Sequence, residues 1–85
     1  MASYKFIKRD ASDPRDIGFE IEEASRTLSR QFSDCTAEVV DFSDDRAPLD
    51  WVRVQLRAKA EGNCEEAGNW YFTELSQRGI VLVRE

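Results

Sequence analysis

The 85-residue chain carries 12 Lys and Arg against 17 Asp and Glu, a net charge of −5, with 41% apolar and 34% charged residues. That length holds one core, so residues 1–85 are read as a single globular domain, and the composition excludes a disordered chain. No run approaches the roughly 18 apolar residues of a membrane span, and the absence of histidine removes the commonest general base and metal ligand.

Tyr4-Lys5-Phe6-Ile7-Lys8-Arg9 is short, aromatic and β-branched, and reads as a first strand, with Tyr4 and Phe6 on one face and Lys5, Ile7 and Arg9 on the other. Met1 to Lys8 contains no long apolar run, so no leader is expected. Asp13-Pro14 followed by Asp16 has the form of a helix start, with Asp13 as N-cap. Ile17, Ile21, Ala24, Leu28 and Phe32 then fall at helical spacing, with Glu20, Glu22 and Glu23 early and Arg26 and Arg30 late, as the helix dipole prefers. Gly18 and the alternation Ile17, Phe19, Ile21 leave a second option, a hairpin of residues 4–9 with 17–22. The helix is the favoured reading.

Cys35 to Phe42 reads as a second strand, and Ser43 to Pro48 as a polar turn rich in aspartate. Asp41, Asp44, Asp45 and Asp50 cluster around that turn; their spacing matches no calcium loop, so they are read as solvated acids and no metal is implied. From Asp50 to Gly62 the alternation is unbroken: Val52, Val54, Leu56, Ala58 and Ala60 against Arg53, Gln55, Arg57, Lys59 and Glu61. In a strand this puts an apolar row on one face and a mostly basic row on the other. Asn63 to Glu66 has the form of a capping box, and Cys64, Ala67, Tyr71 and Leu75 form a helical stripe that Gly79 should terminate. Ile80 to Val83 is a short, wholly apolar fourth strand.

The order β-α-β-β-α-β, with right-handed crossovers and both helices on one face, gives a ferredoxin-like α+β sandwich with the first and third strands central. RNA-recognition domains share this strand order, but Val52 to Ala58 holds none of the aromatics on which such domains stack bases.

No phosphate-cradling glycine loop, Cys-x-x-Cys or Gly-x-Ser-x-Gly is present, so no cofactor and no catalytic constellation is implied. Cys35 and Cys64 are expected to be reduced thiols in a cytoplasmic protein. Cys64, just past a helix cap, is the one place a reactive thiol and thiol-dependent chemistry would centre. The main expectation is a non-enzymatic regulatory or inhibitory module that binds a partner protein, or a second copy of itself, through the sheet face the helices leave open. Its candidate contact residues are Trp51, Arg53, Arg57, Lys59, Trp70, Val81 and Val83. Nucleic-acid binding by the same basic face is the alternative.

Overall fold

The computed structural model describes residues 2–43, 50–59 and 62–83. The elements follow the expected order: β1 (Ala2–Lys8), α1 (Ile17–Gln31), β2 (Cys35–Phe42), β3 (Trp51–Ala58), α2 (Glu65–Gln77) and β4 (Ile80–Val83). The four strands form one antiparallel sheet in the order β2-β3-β1-β4, a ferredoxin-like arrangement with β1 and β3 central.

The core lies between the sheet and the helices. Val52, Val54 and Leu56 of β3 and Phe6 of β1 meet Ile17, Ile21, Ala24 and Leu28 of α1 and Ala67, Tyr71 and Leu75 of α2, all buried. The two helical stripes are those the 3.6-residue period marks out. Tyr71 is the largest fully buried side chain. Its hydroxyl shares a hydrogen bond with Ser25 Oγ at 3.0 Å, so burying the ring leaves no polar atom unpaired. Burial pushes the Tyr71 phenol up to about 12, with the Ser25 hydroxyl pulling the other way.

Both helices start later than the sequence suggests. Asp10, Asp13 and Asp16 each accept a backbone N–H two residues on, from Ser12, Arg15 and Gly18. Any of the three can make this local turn. Asp16 caps α1 because Ile17 is the first residue that enters the core. Asp13 instead holds the Arg15 guanidinium at 2.6 Å. That hydrogen bond brings the Asp13 carboxyl down to about 2. In the second helix Asn63 Oδ1 accepts the Glu65 N–H, and Cys64 occupies the cap position. The alternative hairpin of residues 17–22 does not form: Ile17 and Ile21 are buried on one helical stripe while Phe19 is exposed.

At the other end of α2, Gly79 adopts φ 78°, a left-handed conformation that L side chains rarely adopt, and the chain turns directly into β4. Arg78 beside it links the helices, donating to Glu20 of α1 at 2.6 Å and Glu74 at 3.1 Å. β3 ends at Ala58, so the alternation Val52 to Ala60 is realised only in part: Ala58 is exposed, and Ala60 and Glu61 lie outside the described residues, as do Asp44 and Asp45.

Candidate functional site

The sheet face away from the helices is built by the register of the strands. Antiparallel partners share a face, so successive rows can be read across the sheet. One row runs Trp51, Ile7, Val81; the next runs Asp41, Arg53, Lys5, Val83; a third runs Glu38, Gln55, Ser3; the last pairs Thr36 with Arg57. The strand-four members of this face are therefore Val81 and Val83, while Ile80 and Leu82 belong to the helix side.

At one end of the face Trp51, Ile7 and Val81 form an apolar band, with Trp51 and Val81 half-buried and Ile7 37% exposed. The Lys5 ammonium lies 4.9 Å from the Trp51 ring centroid, a cation over an aromatic face. Such a contact contributes about 0.5–1 kcal/mol at exposed sites. Arg53 is half-buried beside Lys5, and Arg57 is exposed farther along β3.

The structure departs from the sequence expectation at three points. First, this face is less basic than β3 alone implies, because β2 adds Glu38 and Asp41. Asp41 is placed there by a β-bulge between Val39 and Asp41. In an uninterrupted strand Asp41 would share the opposite face with Val39; the extra residue reverses the parity. Second, Arg9 is not on this face. β1 ends at Lys8, and the Arg9 guanidinium donates to Ser76 of α2 at 2.7 and 3.0 Å. Third, Trp70 lies in the helical layer, its ring 5.8 Å from that of Phe32. It therefore does not join Trp51. Lys59 follows the end of β3, is exposed, and ties its backbone N–H to Asp34 O at 2.8 Å. Of the sequence-derived candidates, Trp51, Arg53, Arg57, Val81 and Val83 are brought onto one face; Lys59 lies one residue past the end of β3, and Trp70 lies in the helical layer.

Ile7 is the member of the band absent from that set. Its alternation with Lys5 is visible in the sequence, but its position between Trp51 and Val81 depends on two strand registers.

The two cysteines are not free thiols. Cys35, at the start of β2, and Cys64, before α2, form a disulfide with Cα atoms 5.4 Å apart. This overturns the expectation of reduced thiols and leaves Cys64 without the thiolate that nucleophilic chemistry requires. Cys35 is fully buried and Cys64 half-buried, beside an open cleft of about 700 Å3 lined by Tyr4, Leu56, Arg57 and Phe72 among others. Among the described residues no group of three or more Cys, Asp or Glu is placed to hold a metal ion, and no helix is long and apolar enough to cross a membrane.

No protein-family model, curated protein or solved structure matches this chain.

Proposed function

We propose that this chain is a small non-catalytic interaction module that binds a partner protein, or a second copy, through its open sheet face. The observation that carries the reading is the apolar band Trp51, Ile7, Val81 set beside Lys5, Arg53 and Val83, on a face that no described helix covers. Aromatic and arginine side chains are the residues most often responsible for interface energy. The partner this chemistry fits presents carboxylates around an apolar centre. The cations would govern encounter rate and specificity more than affinity. Glu38 and Asp41 on β2 would set the opposite edge of the footprint and repel an acidic partner there. A regulatory or inhibitory role belongs to the same proposal, and so does a cytoplasmic setting. The latter requires the fold to hold with Cys35 and Cys64 reduced, since cytoplasmic thiols are seldom oxidised.

The test is charge reversal. The double variant Arg53→Glu, Arg57→Glu should keep its circular dichroism spectrum and lose partner capture or open-face self-association. Trp51→Ala should weaken the same complex by about 1–2 kcal/mol, the ordinary effect of truncating an interface anchor. Unchanged partner capture by both variants in pull-down would refute the reading. Steeply salt-dependent retention of the wild type on single-stranded oligonucleotides, lost in the double variant, would assign the face to nucleic acid instead.

A further inference from the structure

The two edges of the sheet are protected unequally. β2 carries a bulge between Val39 and Asp41, and both Glu38 and Asp41 lie on its length. Bulges and edge charges are the ordinary means of preventing a further strand from pairing. β4, Ile80-Val81-Leu82-Val83, has none of these: no charge, no proline and no bulge. Only its shortness limits it.

Its hydrogen-bonding direction follows from the pairing with β1. The Arg9 N–H donates to Gly79 O at 2.8 Å, so these two residues face each other across a bonded position. Bonded and non-bonded pairs alternate along an antiparallel ladder. Ile7 with Val81, and Lys5 with Val83, are therefore the next bonded pairs. The N–H and C=O groups of Ile80 and Leu82 consequently point outward, away from β1. Leu82 is also 41% exposed on the helix side, although its cross-strand partner Phe6 is buried.

We infer that β4 pairs with β4 of a second copy, antiparallel about a twofold axis through Leu82. Leu82 then exchanges both backbone hydrogen bonds with its mate, and Val81 pairs with Val83 of the other copy on each side. This register keeps the pleat in phase, with the two Leu82 side chains covering each other on the helix side and the valines adjoining on the open face. Charge permits it: each copy carries −5, but the paired residues Val81, Leu82 and Val83 are uncharged. Symmetry favours a dimer over a filament. The contact is isologous and uses the edge of each copy that has neither bulge nor charge, leaving the β2 edges at the ends of an eight-stranded sheet. So short a seam falls at the small end of interfaces, below about 1,200 Å2. The dimer should accordingly form with a dissociation constant between about 1 µM and 1 mM. The inference stands independently of the proposed partner.

The experiment is sedimentation velocity across that concentration range. The wild type should move from the 9.8 kDa monomer towards twice that mass. Leu82→Pro removes the outward N–H and none of the hydrogen bonds to β1, and should remain monomeric throughout. The Arg53→Glu, Arg57→Glu variant should dimerise as the wild type does. Amide exchange of the unmodified chain gives a second readout: the Leu82 N–H should become protected as concentration rises, whereas the Val81 N–H is protected at all concentrations. A monomer at every concentration would overturn the inference, as would a Leu82 amide that exchanges freely in the associated state. Association lost on charge reversal but retained in Leu82→Pro would overturn it too, by assigning the contact to the open face.

Discussion

Reducing the Cys35–Cys64 disulfide should cost this domain a large part of its stability without abolishing the fold. The bond joins residues 29 apart in sequence and spans α1–β2 on one side and the approach to α2 on the other. In the loop-entropy description, a closed loop of that size removes about 3–4 kcal/mol of freedom from the unfolded chain. Against the 5–15 kcal/mol typical of a domain, that loss is substantial. At about 4–8 °C per kcal/mol for a chain of this length, the melting temperature should fall by roughly 12–32 °C in reductant. The native contacts at the site do not depend on the cross-link. Cys35 remains a small buried apolar side chain, and the Lys59 N–H to Asp34 O and Gly62 N–H to Lys59 O bonds hold the same corner. Thermal unfolding followed by circular dichroism, with thiols counted before and after reduction, measures the effect. A shift under about 5 °C with both thiols released would refute the reasoning. Complete loss of structure on reduction at 25 °C would refute it from the other side, and would also remove the cytoplasmic setting.

Two further predictions concern the core and the helix stop. Tyr71→Phe should destabilise the fold by about 0.5–1.5 kcal/mol, the usual worth of one hydrogen bond, since Ser25 keeps its bond to Ile21 O. Urea unfolding decides this, and a loss above about 3 kcal/mol would contradict it. The same residue sets an alkaline limit. Its phenol titrates at about 12 when folded and near 10 when unfolded, so the stability it confers is complete below pH 10 and is lost as pH rises towards 12. In Tyr71→Phe that part of the alkaline decline should disappear. At the turn, Gly79→Ala should cost about 1–2 kcal/mol, because φ 78° is unfavourable for any residue with a Cβ. The added atom would also lie 2.6 Å from the Arg15 guanidinium, which is exposed and can move aside.

Much of this architecture is written in local patterns. The period-2 alternation of Val52, Val54 and Leu56 and the 3.6-period stripes Ile17-Ile21-Ala24-Leu28 and Ala67-Tyr71-Leu75 report which side of each element is apolar, and the buried side follows. Gly79 is likewise legible, because a glycine just past a helical stripe is the usual residue for a left-handed stop. The helix start is not legible in the same way. Asp10, Asp13 and Asp16 make the same turn, and only packing of Ile17 selects Asp16.

The candidate face and the sulfur chemistry belong to the tertiary structure. Ile7 lies between Trp51 and Val81 because β1 pairs with both neighbours at particular registers, and no short-range pattern encodes a register. The bulge in β2 turns Asp41 towards Arg53, reducing a charge asymmetry that β3 by itself would suggest. Trp70 and Trp51 look alike in the sequence and lie on opposite sides of the sheet, one against Phe32 and the other under Lys5. Cys35 and Cys64 meet only after β2 and the start of α2 come together at the same end of the molecule, a distance set by the whole sheet and not by either segment. The sequence by itself determined which residues are apolar on which face of each element. Only the fold decided which faces meet, because pairing and docking are choices among distant segments that local periodicity does not record.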